Sequence, residues 1–234
     1  MTTKRRGVVF AESMIPALLS GRKIVARRPV TDMQNNPSNE PEKWEWNGLS
    51  FVRHYGQRLG YMTPPCPYGD EGDTIWVKEK WQASADATFE FGDGWYKDVP
   101  NCFRETPDAF LHVYYRADKS RYTIIKSESG AVLYLDKHPE ATEDDMPPRW
   151  CSADSMPYWA HRIRLVIVSV DLQSLSDLKL GDIGNEGISE PYSFSTYREF
   201  WDKQYGRRGY PWFIDEPPYV WVIRFRMMTC FGGI

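Results

Sequence analysis

Ile163-Arg164-Leu165-Val166-Ile167-Val168-Ser169-Val170 reads as the strongest strand in the chain. Its β-branched side chains pack well on a pleated surface and fit a helix less well. A second clear strand, Tyr219-Val220-Trp221-Val222-Ile223-Arg224-Phe225-Arg226, alternates so that Arg224 and Arg226 share a face. Two helices are expected between these strands. One lies around Ser176 to Gly184; the other runs from Ser195 to Tyr205, with Tyr197, Phe200 and Trp201 as its apolar stripe and Gly206 as its stop. Toward the N-terminus, His112 to Arg116 has strand character, and Asp73 to Trp81 alternates. There Ile75, Val77 and Glu79 fall on one face and Trp76, Lys78 and Lys80 on the other, which places a carboxylate in line with apolar residues. Gly7 to Phe10 reads as a short strand, followed by a helix through Met14, Ile15, Leu18 and Leu19 that Ser13 is expected to cap and Gly21 to end. Pro16 falls in the first turn, where proline is tolerated. Residues 32–48, 84–110 and 136–148 read as loops, the last holding five acidic residues and three prolines. Many strands, few helices and no repeating βαβ rhythm predict an α+β chain, mainly β, built as a small barrel carrying insertions.

The chain has 234 residues, 41% of them hydrophobic and ten of them Trp, enough for a packed core. No apolar run approaches the roughly 18 residues that cross a bilayer, and the charged N-terminus has no apolar segment typical of a secretory signal. A cytoplasmic protein without membrane attachment is expected. Cys66, Cys102, Cys151 and Cys230 are far apart and form no C-x-x-C pair, so they read as unpaired thiols. His54, His112, His138 and His161 are equally scattered. No metal site and no cofactor is expected.

Formal net charge is -3, yet Lys4, Arg5, Arg6, Arg22, Lys23, Arg27 and Arg28 face only Glu12 within the first thirty residues. Positive charge that is local points to an anion site, and guanidinium groups suit bidentate phosphate. A solvated basic edge is the alternative at this stage. Aromatic side chains beside cations are what single-strand recognition uses, and Trp76 beside Lys78 offers that combination, as do Trp81, Trp159 and Tyr115 if they are not simply core. Glu79 reads either as a functional group or as a buried partner of Arg27 or Arg28.

Several segments taken together resemble the ASCH-domain family, a branch of the PUA-like β-barrels, and in particular its longer versions from phages and prophages. These are Leu18-Leu19-Ser20-Gly21-Arg22-Lys23 with Arg27-Arg28, Cys66-Pro67-Tyr68-Gly69, Gly72 to Glu79, and Tyr115-Arg116-Ala117-Asp118. Met156 to Ile163, Glu186-Gly187-Ile188 and Trp221 to Phe225 complete the set, in the family's order. The resemblance implies a single PUA-like domain over 1–234, with insertions near 32–62, 84–110 and 119–155. It also implies a basic cleft sized for a nucleotide or short nucleic-acid strand, with ligand contacts from Arg22, Lys23, Arg27, Arg28, Trp76, Lys78, Glu79 and Arg162.

Acetylcytidine amidohydrolases of this family use a Lys, a Thr three residues later and a distant Glu. Here the resemblance puts Lys23 and Glu186 at the first and last of these positions, and Ala26 at the second. Alanine has no hydroxyl and cannot act as a nucleophile. Water activated by Glu186, with Lys23 steadying an oxyanion, is the chemistry that remains; equally, the two residues are candidates for an ion pair that pins a helix end. The expected function is therefore binding of RNA, a modified nucleoside or DNA, with hydrolysis of an acylated nucleoside as the alternative. A phage accessory role on a host protein partner is the third reading.

Overall fold

Strands outnumber helices in the computed structural model, which describes residues 5–30, 44–46, 51–55, 58–61, 66–85, 110–126, 132–138, 149–212 and 217–228. Five strands, β1 (Arg5–Val9), β2 (Val25–Pro29), β6 (Thr74–Lys78), β11 (Arg164–Ser174) and β12 (Tyr219–Met228), form a sheet of order β1-β6-β11-β12-β2. An antiparallel sheet follows the order β10-β9-β8-β7, from β7 (Trp81–Ala85), β8 (Phe110–Tyr115), β9 (Ser120–Lys126) and β10 (Val132–His138). Three short strands, β3 (Trp44–Trp46), β4 (Phe51–Tyr55) and β5 (Arg58–Tyr61), make a third. The architecture is mixed and mainly β, as the strand patterns predict. The described strands do not close into a barrel: β1 and β2 end the five-stranded sheet as edges, because β1 joins in parallel beside β6 alone.

The chain gathers into two compact units. The first draws on residues Arg22–Asp73 and Val166–Arg226. In it β2 pairs antiparallel with β12, Val222 opposite Arg27 and Ile223 opposite Ala26. Its core joins Val25, Val220 and Val222 to Leu175, Leu178 and Ile183, and to Tyr197, Trp201, Tyr205 and Tyr210. Two helices supply most of these aromatics and aliphatics. The one expected around Ser176 to Gly184 is a 3-10 turn at Leu175–Asp177 and then α2 (Leu180–Asn185). In α3 (Phe194–Tyr205), Ser193 accepts from the Thr196 amide at 3.2 Å while the Thr196 hydroxyl accepts from the Ser193 amide at 2.8 Å, a reciprocal cap that sets the start. Gly206 is the C-cap of α3, where the stop was expected. The backbone tightens into a 3-10 turn over Gly206–Arg208, and Gly209, at φ 90°, makes the left-handed turn that ends it.

The second unit draws on residues Arg5–Gly21 and Thr74–Leu165. Here β1 runs parallel to β6, with Gly7 opposite Trp76. Ile75 and Val77 are buried and their neighbours half-buried, as the alternation requires. The single strand expected from Asp73 to Trp81 is interrupted after Lys78, and Trp81 begins β7. Its core is Trp81, Ala83, Val113, Tyr115, Tyr122, Ile124, Met156 and Ala160. The N-terminal helix, α1 (Ile15–Leu19), follows a 3-10 turn at Glu12–Met14 and is capped from Met14 without a side-chain bond, so Ser13 is not the cap. Of the expected loops, 44–46 belongs to β3, 84–85 to β7, 110 to β8 and 136–138 to β10; residues 32–43, 47–48, 86–109 and 139–148 lie outside the described residues. No helix among the described residues is long and apolar enough to cross a membrane.

Candidate functional site

In the first unit the chain enters β2 from Gly21, whose φ of 72° suits glycine. The Ile24 amide bonds the Asn185 carbonyl at 2.9 Å, which ties this entry to the end of α2. Glu186 caps that end, its amide bonded to Asp182 and Ile183, and Gly187 turns the chain away at φ 84°. Lys23 and Glu186 meet as a result. The Lys23 ammonium donates to Glu186 Oε2 at 2.9 Å, to the Glu186 carbonyl at 2.7 Å and to the Val25 carbonyl at 2.8 Å. Three ammonium hydrogens meet three oxygens, and one of these carbonyls belongs to a helix C-terminus, where a cation is favoured.

Arg27 completes the network. Its Nη1 donates to Glu186 Oε1 and its Nη2 to Asp182 Oδ2, both at 3.1 Å, while the Tyr197 hydroxyl donates to Glu186 Oε1 at 3.3 Å. Side-chain exposure is 3% for Lys23 and 2% for both Arg27 and Glu186. Two buried cations therefore meet one buried carboxylate and one, Asp182, whose side chain is 34% exposed, and neither Glu186 oxygen lacks a donor. Burial lowers the Lys23 pKa, against the opposing pull of Glu186, and burial followed by the Glu186 charge holds the Tyr197 phenol well above its ordinary value. Ala26 is buried and lies next to Arg27 on β2. The network has the ingredients of acid–base chemistry, but its donors and acceptors are already occupied by one another.

Arg28 reaches different partners from Arg27, because consecutive residues of a strand project alternately. Half-buried, it holds its guanidinium over the Tyr68 ring, 5.9 Å from the centroid. Burial raises the Tyr68 and Tyr205 pKa values, while the charges of Arg28 and Arg208 pull both down, so two guanidinium groups act on the same two phenols. Arg208 and Arg22 are exposed. Of the residues expected at a ligand site, the first unit thus brings Lys23, Arg27 and Glu186 into direct contact and gives Arg28 an aromatic partner. Asp182, Tyr197, Tyr68 and Arg208 were not expected. Asp182 was readable, since it precedes Glu186 by one helical turn and so shares its face; Tyr197 was legible only as part of the apolar stripe of α3, and Tyr68 and Arg208 come from distant segments without a periodic signal.

Trp76, Lys78, Glu79 and Arg162 belong to the second unit. Glu79 is paired with neither Arg27 nor Arg28. Its oxygens accept from Arg162 Nε and Nη2, both at 2.8 Å. Arg162 Nη1 donates to Asp118 Oδ2 at 2.8 Å and to the Ser120 hydroxyl at 2.7 Å, and the guanidinium lies 4.1 Å from the Tyr115 ring centroid. Burial alone depresses the Arg162 pKa, but Glu79 and Asp118 outweigh it and hold it well above the ordinary value. With no exposed side-chain surface and four donors engaged, Arg162 is part of the packing of β8 and β9. Tyr115 and Trp81 are core residues. Lys78 lies over the Trp76 ring, 5.2 Å from its centroid. Among the described residues no group of three or more His, Cys, Asp or Glu is placed to hold a metal ion.

No protein-family model, curated protein or solved structure matches the chain.

Proposed function

We propose that the chain is a PUA-like protein that binds a nucleotide or nucleic acid, RNA foremost, through the outward-facing part of its basic segment. The observation that carries this reading is the pairing of the half-buried Arg28 with the Tyr68 ring, 5.9 Å from its centroid. A guanidinium suits phosphate and an aromatic ring suits a base. In this reading Lys23, Arg27 and Glu186 are positioning residues: their buried network fixes the start of β2 and so the place of Arg28. An exposed Arg22 adds charge to the same segment.

The test is fluorescence anisotropy of a labelled single-stranded RNA at several salt concentrations. Arg28→Glu is expected to weaken binding and to flatten the dependence of log K on log salt by about one phosphate contact. An unchanged affinity and slope in the folded variant overturns the reading. A DNA oligonucleotide of the same sequence reports the preference for polymer.

Amide hydrolysis of an acylated nucleoside is the second reading, and the 2.9 Å contact between Lys23 and Glu186 favours it. The occupied ammonium and Ala26 weigh against it. Chromatography of acetylcytidine incubated with the protein decides: turnover that Lys23→Ala abolishes establishes hydrolysis in place of simple binding.

A further inference from the structure

The register of β1 against β6 sets Arg5 opposite Thr74, Gly7 opposite Trp76 and Val9 opposite Lys78. Ile75 and Val77 turn inward, so Trp76 and Lys78 lie together on the other face of β6. A 3-10 turn at Tyr158–Ala160 brings Tyr158 to this group, its ring edge-on to Trp76 at 5.6 Å and inclined to His161 at 4.4 Å. The phenol oxygen of Tyr158 accepts from Arg164 Nη2 at 3.1 Å and Arg5 Nη1 at 3.5 Å. Lys78 donates to the Asp154 carbonyl at 2.9 Å. Among the described residues none of Arg5, Lys78 and Arg164 is ion-paired with a carboxylate, and Arg164 Nε is buried without a hydrogen-bond partner. His161 bonds the Tyr158 carbonyl through Nδ1 and has its pKa lowered by burial, with Arg164 and Arg5 adding to that effect. Two arginines thus bond the phenol of Tyr158, which is 39% exposed, and Lys78 lies over the Trp76 ring packed edge-on against it.

We infer that this face of the second unit is a separate binding surface for single-stranded nucleic acid, a base stacking on Tyr158 and flanking phosphates held by Arg5, Arg164 and Lys78. Charge complementarity selects a polyanion, and an exposed ring among cations selects one whose bases are unpaired, because a duplex hides its base faces. The arrangement carries no base-edge reader, so recognition is by stacking and charge and tolerates many sequences. Nothing in it depends on the Arg28 and Tyr68 cluster.

The experiment is run in an Arg28→Glu background, so that failure of the first-unit reading leaves this one measurable. Oligo(U), oligo(dT) and a duplex control, each labelled, are titrated at several salt concentrations, and oligonucleotides carrying 5-iodouracil are photo-cross-linked and mapped by mass spectrometry. Both single strands are expected to bind more tightly than the duplex, with cross-links in the peptide that holds Tyr158; a difference between the first two distinguishes RNA from DNA. Tyr158→Ala is expected to weaken binding by about fivefold to a hundredfold, the range of a lost stacking platform, while Tyr158→Phe, which keeps the ring, stays close to the parent. Arg5→Ala lies on an exposed side chain and is expected to flatten the salt slope without changing the melting temperature. Absence of single-strand binding, cross-links confined to other peptides, or equal affinity in folded Tyr158→Ala overturns the inference.

Discussion

Glu186 has two carboxylate oxygens and meets an ammonium, a guanidinium and a phenol with them. Glu186→Gln keeps the shape but turns one of those oxygens into a donor that faces a cation. Breaking a buried pair from one side costs about 3–5 kcal/mol because the remaining charge is left uncompensated. The variant is therefore expected to lose about that much unfolding free energy in a denaturant titration, and an unchanged midpoint makes the network incidental. Asp118 supplies a pH test in the second unit. Burial tends to raise its pKa, but the Arg162 hydrogen bond and charge, with help from Ser120, hold it below the ordinary carboxylate value. The unfolded chain then binds this proton more readily than the folded one, so the stabilisation is complete above about pH 4 and is lost as the pH falls through the folded-state value. Denaturation midpoints between pH 5 and pH 2.5 are expected to fall more steeply for the natural protein than for Asp118→Asn; parallel profiles exclude the contribution. At this scale Lys23 and Glu186 were legible only through family resemblance, because 163 residues separate them and no periodicity spans that distance. Arg162 was legible as a cation but not as a buried one, since its partners come from two segments distant from it, Glu79 from just past the end of β6 and Asp118 and Ser120 from the turn that leads from β8 into β9.

β1 and β6 show why an element's composition matters as much as its pattern. A Cβ placed on Gly7 falls 2.6 Å from Cε2 of the Trp76 indole and 2.9 Å from Cε of Lys78. Alanine in a strand normally gains about 0.5–1 kcal/mol over glycine from reduced chain entropy, whereas overpacking a fitted site costs about 1–3 kcal/mol. The steric term is larger, so Gly7→Ala is expected to lower the melting temperature and to change the fluorescence of Trp76 as its ring is displaced. A stabilised variant shows instead that the indole has room to move. The patterns of β6, β11 and β12 were legible because each alternates or carries a β-branched run. Helix ends were partly so: Gly206 caps α3 where a glycine reads as a stop, but the left-handed turn falls three residues later at Gly209, next to the Tyr210 carbonyl that accepts from the Trp201 indole N–H at 2.8 Å. Of the three short strands within 44–61, β3 falls in the stretch 32–48 read as a loop for want of a sustained period, and β4 and β5 fall in the insertion near 32–62 that the resemblance implied.

For the whole molecule, each unit is assembled from segments distant in the chain, so neither is a continuous stretch that can be cut out. The second unit takes β1 and α1 from residues 5–21 and the rest from 74–165 and 227–234. Residues 74–165 alone retain Glu79, Arg162 and Asp118 and the sheet β10-β9-β8-β7. They lose β1, one of the two strands beside β6 in the sheet, and the fully buried Ile15 and Leu18. Burying each of those two side chains contributes about 1.5–3 kcal/mol, and the main-chain bonds of β1 to β6 add to the deficit. Their sum is comparable with the roughly 5–15 kcal/mol by which a whole domain is stable. The 74–165 fragment is accordingly expected to give a poorly dispersed amide spectrum and no cooperative thermal transition, and addition of a peptide covering residues 1–21 to restore part of both. A dispersed spectrum and a sharp transition from the fragment by itself show that β1 and α1 are accessory to a core that folds without them.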